Sequence, residues 1–218
     1  MRGAEVSALV ILDLHNHSIK SDDGRAKVEN YCQWISKKGI GVDGFVLTEH
    51  RQFDAESDYR PLEDEFGILI LKGSEVETDY GHVLVFGVND EMQTAFDFTR
   101  IGLSAELVVR EVKRCGGIAV PCHPGRTQVG MLAHVRERGA VDGVEVIETL
   151  NGGSRGSEND DAQSLAEEFS YRGIGGSDAH IVSHIGRCST RFDQDIEDMD
   201  GLVEALRTSR YEAVRVSS

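Results

Sequence analysis

Residues 8–17 read ALVILDLHNH, a continuous apolar run that ends in two histidines one residue apart. A short run of aliphatic and β-branched residues is typical of a strand buried on both faces of a parallel sheet, and it is too short to cross a membrane. Alternate residues of a strand point to the same face, so His15 and His17 are expected to project together from the end of the strand Ala8–Leu14. Neutral imidazole is the commonest protein metal ligand, so this pair predicts one corner of a site for Zn²⁺, Mn²⁺ or Fe²⁺.

Length and charge limit the class of protein. The 218 residues predict a single domain spanning residues 1–218. With 38 acidic and 23 basic residues the formal net charge is −15, which disfavours long nucleic acid as a partner but leaves room for a phosphate the size of a mononucleotide. The sequence shows no membrane span or secretory signal, and its four cysteines form no Cys-x-x-Cys pair, so we expect a cytoplasmic protein with reduced thiols.

Predicted strands alternate with predicted helices along most of the chain, which is typical of parallel βαβ units. Seven or so such units predict a barrel. An open doubly wound sheet is the alternative, but its ligands gather at one switch point, whereas here polar residues follow nearly every strand. Asn89–Gly102 has little periodicity and is expected to be an irregular connection near the mouth of the barrel. The predicted strands are Ala8–Leu14, Asp43–Leu47, Gly67–Leu71, His82–Val88, Gly117–Pro121, Val141–Ile147, Ile174–Gly175 and Tyr211–Val216, and the predicted helices are Ala26–Lys38, Ser104–Cys115, Val129–Arg138, Glu158–Arg172 and Ile196–Thr208.

Six of the eight histidines and three carboxylates lie at or beside the predicted strand ends. Imidazole mixed with carboxylate is the ligand set of Zn²⁺, Mn²⁺ and Fe²⁺. One ion takes about four to six ligands, so the set predicts two to three ions that share at least one bridging carboxylate. The nine candidate ligands are His15, His17, Asp22, His50, Glu75, His82, His123, Asp178 and His180.

The motifs around these residues resemble, in order, those of the PHP (polymerase and histidinol phosphatase) family. The resemblance implies an α/β fold of the distorted (β/α)7 barrel type, with a trinuclear metal site at the C-terminal mouth, and it implies the hydrolysis of phosphate esters by a metal-activated hydroxide. The matching motifs are Asp-Leu-His15-Asn-His17 followed by Ser21-Asp22, Thr-Glu-His50, Gly-Ser-Glu75, Gly-His82-Val, Cys-His123-Pro and Gly-Ser-Asp178-Ala-His180.

The resemblance also implies how the ligands divide among three ions. The first ion is held by His15, His17, Glu75 and Asp178, the second by Glu75, His82 and His123, and the third by Asp22, His50 and His180. The family usually has Ser-Asp-Gly where this chain has Ser21-Asp22-Asp23-Gly24. Asp23 therefore competes with Asp22 as the ligand, and spacing favours Asp22.

Several further side chains are candidates for contact with substrate or ligands. Arg126, three residues after His123, is the candidate phosphate clamp because a guanidinium matches two phosphate oxygens, and together with His180 it makes up the predicted catalytic set. Glu145 is the candidate for orienting a ligating histidine. Lys20, Arg51 and Arg187 are weaker phosphate-binding candidates, His134 and His184 are expected to have other roles, and Cys122 is expected to be a buried structural thiol.

The function predicted from these features is that of a hydrolase acting on a phosphate ester of a small metabolite or nucleotide, with two to three Mn, Fe or Zn ions as cofactors. Two other reactions suit the same site: a 3′–5′ exonuclease or exoribonuclease, and a protein-tyrosine phosphatase of the same family. The absence of a basic stripe weighs against the nuclease. A non-catalytic metal-binding module is the least favoured alternative.

Overall fold

The computed structural model describes residues 9–216, which form an α/β fold. Ala8, the predicted start of the first strand, lies outside these residues, as do both predicted limits of the domain. Within residues 9–216, none of the helices has the length and apolar character needed to cross a bilayer. The strands are β1 Val10–Asn16, β2 Gly44–His50, β3 Leu69–Thr78, β4 Gly81–Phe86, β5 Ile118–Pro121, β6 Val146–Asn151, β7 Arg172–Gly176, β8 Cys188–Phe192 and β9 Tyr211–Arg215. The α-helices are α1 Val28–Lys38, α2 Arg60–Phe66, α3 Asp90–Ala95, α4 Ala105–Arg114, α5 Leu132–Arg138, α6 Glu158–Phe169 and α7 Met199–Thr208, and a 3₁₀ turn covers Val182–His184.

The larger sheet is curled and has the strand order β5-β4-β3-β2-β1-β8-β9, while β6 and β7 form a separate pair. Strands β1, β2 and β3 run parallel in the middle of the larger sheet. Their register sets Asn16 opposite Leu47 and His50 opposite Glu75. The C-terminal ends of three neighbouring strands therefore bring their histidines and Glu75 to the same edge of the sheet.

The predicted arrangement of seven parallel βα units is only partly present. Strands β3 and β4 are joined by the short turn at Asp79 and Tyr80, which leaves no space for a crossover helix, so β4 returns antiparallel to β3. Strand β5 is antiparallel to β4, β8 to β1, and β9 to β8. The fold is thus α/β with a curled sheet of mixed direction.

Several strands extend further than the sequence predicts. Strand β1 continues through His15 to Asn16, β2 through His50, and β3 through Glu75 to Thr78. These candidate ligands consequently project from the strands themselves rather than from the loops that follow them. Three elements are absent from the prediction: α2, β8, and the short helix α3 inside the segment predicted to be irregular.

The segment after β7 is bonded directly to the histidine end of β1. The Asp178 amide donates to the His15 carbonyl oxygen at 2.7 Å, and the His17 amide donates to the Ala179 carbonyl oxygen at 2.9 Å. Gly176 permits this approach, because a Cβ atom at that position would lie 2.4 Å from the Cβ of His15. The backbone itself therefore places Asp178 and His180 beside His15 and His17.

Two buried polar side chains strengthen this junction. Asp13 accepts hydrogen bonds from the backbone amides of Ser177 and Gly186, both at 2.8 Å, and its burial raises the pKa of its carboxyl to about 6. Tyr31, on the buried face of α1, places its hydroxyl 2.8 Å from the carbonyl oxygens of both His17 and Ala179. Helix α1 thus fixes the backbone that carries the first histidine pair.

We predict that Tyr31→Phe destabilises the protein. The change removes the hydroxyl that serves the His17 and Ala179 carbonyls, and leaving a buried acceptor without its donor costs about 1–3 kcal/mol. Urea unfolding followed by circular dichroism measures the difference. The control is Tyr171→Phe, because the Tyr171 hydroxyl makes no hydrogen bond to any of residues 9–216. Equal stability of the two variants would contradict the role assigned to Tyr31.

Candidate metal centre

Eight of the nine predicted ligands come together around Glu75. Their nitrogen and oxygen atoms form overlapping groups in which all atoms lie within 4.8 Å of one another. Each group combines histidines, with or without carboxylates, in the manner of a metal site. The four groups are His15, His17, Glu75 and Asp178; His50, Glu75 and His82; His15, Glu75, Cys122 and His123; and His17, His50 and His180.

The first group has the spacing of ligands around a single ion. The Nε2 atoms of His15 and His17 are 3.1 Å apart, and they lie 2.8 and 3.1 Å from Glu75 Oε2. Asp178 Oδ1 is 3.5 Å from the first nitrogen and 3.4 Å from the second. Ligand atoms bound about 2.1 Å from one metal ion lie about 3.0–3.4 Å from each other. These four side chains therefore fit a divalent cation.

The other oxygen of Glu75 faces His82 and His123. Oε1 is 2.6 Å from His82 Nδ1 and 3.3 Å from His123 Nε2. The Cys122 Sγ atom is 3.5 Å from the same oxygen, and burial raises the pKa of this thiol well above its usual value. Because Oε2 faces His15 and His17 while Oε1 faces His82 and His123, Glu75 can bridge two ions.

The group of His17, His50 and His180 consists of three histidines, and a carboxylate lies beside it. The His17 ring centroid lies 4.1 Å from that of His50 and 4.4 Å from that of His180. Asp23 approaches them from the loop after β1, with oxygens 3.5 Å from His50 Nε2 and 3.1 Å from His180 Nε2. Asp23 is therefore the carboxylate that completes this group.

This placement corrects the prediction that favoured Asp22. The Asp22 carboxylate lines the same cavity as His50 but pairs with the Arg51 guanidinium, which holds the pKa of Asp22 below its usual value. Arg51 also pairs with Glu77. Sequence spacing alone does not distinguish two adjacent aspartates, whereas in the structure Asp23 pairs with the histidines and Asp22 with the arginine.

Two buried nitrogens provide an independent test of the fit to metal. Among the described residues, His50 Nδ1 and His123 Nδ1 are buried and accept or donate no hydrogen bond. Buried polar atoms of a folded protein are normally paired. His50 Nδ1 lies 3.5 Å from Glu75 Oε2, so a cation bound beside this carboxylate would give that nitrogen the partner it lacks.

Buried histidines and carboxylates at the centre shift one another's pKa. Burial would raise the pKa of Glu75 and of Asp178, but the neighbouring histidines, chiefly His15, hold both well below their usual values. Burial would lower the pKa of His15, yet the surrounding carboxylates raise it well above its usual value. Burial lowers the pKa of His50 and His123, which favours the neutral imidazole that binds metal.

Glu148 holds the first histidine in place. Its Oε1 is 3.1 Å from His15 Nδ1, and its Oε2 accepts from the His123 amide at 2.8 Å and from the Asn151 side chain at 2.9 Å. Glu145, which the sequence predicts for this role, instead lies at the surface and pairs with Lys113. The reason is that β6 begins at Val146, so Glu148 is within the strand and directed inward while Glu145 precedes it.

Backbone strain is concentrated at this centre. Within residues 9–216, four residues other than glycine have a positive φ, and three of them are Arg51 (52°), His123 (34°) and Asp178 (52°). Such conformations cost about 1–3 kcal/mol each, and they persist where the surrounding structure enforces them. Two candidate ligands and the residue after a third are thus held in conformations that their sequence alone would not favour.

The predicted phosphate-binding residues differ in their surroundings. Arg126 lies beside the centre, with its guanidinium 2.6 Å from Asp178 and 2.7 Å from Asn151, and with Asp178, His180 and His184 it lines an open cavity of about 610 Å³. Lys20 pairs with Asp54 at 2.6 Å. Arg187 lines a separate groove with Trp34. His134, which lies on α5, packs against Tyr80.

The fold and this cluster define the class as an α/β protein with a candidate metal centre. The PHP-associated family model matches residues 156–211, which include Asp178 and His180. An uncharacterized protein of Methanocaldococcus jannaschii is 29% identical over 122 residues, which are 51% of this chain and 66% of that protein. The chain spans slightly less than two thirds of that relative.

Two solved structures share the fold. A two-domain protein of Bacteroides vulgatus that contains a predicted PHP-like metal-dependent phosphoesterase superposes with a TM-score of 0.64 at 21% identity, over 97% of this chain and 66% of that one. A lesion-specific endonuclease of Pyrococcus furiosus superposes with a TM-score of 0.70 at 13% identity, over 94% of this chain and 58% of that one. The fold of this chain is therefore similar to that of a PHP-like protein, and the segment that carries Asp178 and His180 matches a PHP-associated family model.

We predict that Glu148→Gln weakens metal binding by about 10–100-fold, the usual cost of losing a partner that orients a ligating histidine. The amide keeps the shape of the side chain but removes the charge beside His15 Nδ1. Competition with a chromogenic chelator measures the affinity for Mn²⁺ and Zn²⁺. Glu145→Gln is the matched control, because the same change falls on a surface carboxylate. Equal affinities of both variants would refute the orienting role.

We also predict that Asp23→Asn lowers the number of ions bound per chain, while Asp22→Asn leaves it unchanged. Only the Asp23 carboxylate reaches His50 and His180, whereas Asp22 serves Arg51. Elemental analysis of protein dialysed against limiting metal gives the stoichiometry. The reverse pattern would return the ligand role to Asp22.

Proposed function

We propose that the protein is a metal-dependent phosphoesterase that hydrolyses a phosphate ester of a small metabolite or nucleotide. The observation that supports this most strongly is the sharing of one fully buried carboxylate, Glu75, by three groups of histidines. Several cations held at such short spacing suit a substrate that is itself strongly anionic. The fold is shared with a Bacteroides vulgatus protein that contains a predicted PHP-like metal-dependent phosphoesterase, and this supports the same function by analogy.

In this proposal the side chains divide the work of holding the ions and the substrate. Bound divalent cations would lower the pKa of an attacking water and neutralise charge on the phosphate. One cation would be held by His15, His17, Glu75 and Asp178. A second would be held by Glu75, His82 and His123, and a third by His50, His180 and Asp23. Imidazole and carboxylate together suit Mn, Fe or Zn.

Arg126 and His180 would contact the substrate itself. Both line the cavity beside the centre. The Arg126 guanidinium is held by Asp178 and Asn151, so its plane is fixed before a phosphate arrives and less side-chain entropy is lost on binding. His180, at the more exposed rim, would act both as a ligand and as part of the catalytic set.

The remaining parts of the proposal concern the whole protein. The curled sheet and the β6–β7 pair would together represent the distorted (β/α)7 barrel of the family, with the centre at its C-terminal mouth. Residues 1–218 would act as one domain, in the cytoplasm, on a small phosphorylated substrate.

A nuclease is the second candidate, because the endonuclease of Pyrococcus furiosus has the same fold with a TM-score of 0.70. The net charge of −15 argues against a long polyanion as substrate. The two candidates differ in salt dependence, because only cleavage of an oligonucleotide should fall steeply with ionic strength.

We predict that His17→Ala lowers kcat/KM by more than about 100-fold, since even the loss of a residue that merely orients a ligand costs about 10–100-fold. The assay uses p-nitrophenyl phosphate, mononucleotides and short oligonucleotides over a salt series, with Mn²⁺, Fe²⁺ or Zn²⁺ restored after chelation. His134→Ala, a histidine away from the centre, is the control and should retain full activity. Activity that survives chelation, or that His17→Ala leaves intact, would overturn the proposal.

A further inference from the structure

A groove with an aromatic floor lies beside the metal centre. It has a volume of about 440 Å³, within the range of pockets that hold small ligands. Three phenylalanines line it: Phe96 and Phe98 are buried, with 6% and 7% of their surface exposed, and Phe53 is half-buried. Its rim is formed by exposed polar residues, among them Gln93 and Thr94. We call it the phenylalanine groove.

The groove and the opening over the centre share one lining residue. Arg51 lines the groove, and it also lines the adjoining cavity of about 380 Å³ that contains His50, His82 and Asp23. Phe53 follows His50 by three residues, so their Cα atoms are separated by about 10 Å at most. A substrate with its phosphate at the centre can therefore reach the groove with a spacer of a few atoms.

The chemistry of the groove suits a flat ring. The rings of Phe96 and Phe98 stack on each other in the core, with centroids 4.7 Å apart and planes inclined at 22°, and they support the half-buried Phe53, which packs against the same apolar cluster. Phe53 is therefore the ring that a ligand can reach, and an aromatic side chain binds rings by stacking without needing a specific hydrogen-bond pattern. The rim amide of Gln93 can add hydrogen bonds to ring heteroatoms.

The polar surroundings do not compete with such a ligand. Asp97, the carboxylate on the rim, accepts hydrogen bonds from the amide and the hydroxyl of Thr99. Arg51, at the junction with the centre, is held between Asp22 and Glu77. The groove thus offers the ring of Phe53, bordered by neutral amides and hydroxyls and by charged groups that are already hydrogen-bonded or paired.

We propose that the phenylalanine groove binds an aromatic or heteroaromatic ring in the leaving group of the substrate, and that Phe53 is a specificity-determining residue. This inference rests on the proposed phosphoesterase function for the position of the phosphate. It narrows the substrate class to phosphate esters that carry a ring a few atoms from the phosphorus.

The test measures binding rather than hydrolysis, so that it does not depend on turnover. Isothermal titration calorimetry compares 3-phenylpropylphosphonate with propylphosphonate on the metal-loaded protein, because the two ligands differ only in the ring. Stacking on an aromatic surface predicts about 5- to 150-fold tighter binding of the ligand with the ring. Phe53→Leu should abolish most of that preference while leaving the affinity for propylphosphonate unchanged.

Two further variants make the result specific. Trp34→Leu removes an aromatic residue from the separate groove that contains Arg187, and it should retain the preference for the ring. Gln93→Ala, on the exposed rim, tests the groove without disturbing its apolar floor, and it should weaken the preference for a pyridyl ligand relative to a phenyl one.

Equal affinity for the two phosphonates, or no binding of either, would overturn the inference. A ring preference that Phe53→Leu leaves intact would overturn it as well. A ring preference that Phe53→Leu removes, in a protein that hydrolyses no phosphate ester, would support the groove and reject the proposed function, so the two failures are distinguishable.

Discussion

The ionised carboxylate of Glu75, with no exposed surface, is the interaction on which the centre depends. Desolvating a carboxylate is expensive, and the cost is offset only when opposite charge and hydrogen-bond donors surround it closely. Here His15, His17, His82 and His123 all lie within 3.3 Å of its two oxygens. Strand β3 lies between β4 and β2 in the sheet, so histidines from the strands on both sides, His82 and His50, reach Glu75.

Much of this centre could be predicted because it depends on local periodicity. A strand period of two residues is enough to place His15 and His17 on one face, and the parallel order of β1, β2 and β3 is enough to bring His50 and Glu75 to the same edge. The choice between Asp22 and Asp23 depends on Arg51, 29 residues further along the chain, and no local pattern contains that contact. Which of Glu145 and Glu148 faces the centre depends on where β6 begins. Strand boundaries are the least reliable part of a sequence prediction.

The direction of the strands was the larger difference between the prediction and the structure. Asp79, Tyr80 and Gly81 follow β3 closely, and residues of the Asp and Gly types between two apolar runs are a signal for a hairpin. The alternation of strands and helices elsewhere in the chain predicts parallel strands throughout, and it takes no account of that local signal. The parallel strands β1, β2 and β3 nevertheless contain three of the candidate ligands, His15, His50 and Glu75, so the prediction of these three does not depend on the direction of the other strands.

The junction between β1 and the segment after β7 has a consequence for the architecture of the chain. His15 and Asp178 are separated by about 160 residues, and ion-mediated closure of a loop of that length removes a large amount of conformational freedom from the unfolded chain. A cation shared by these two side chains would act as a cross-link between the first and the last quarter of the protein. The metal centre would then stabilise the fold as well as support catalysis. The thermal stability of the C-terminal strands would therefore increase with the concentration of metal.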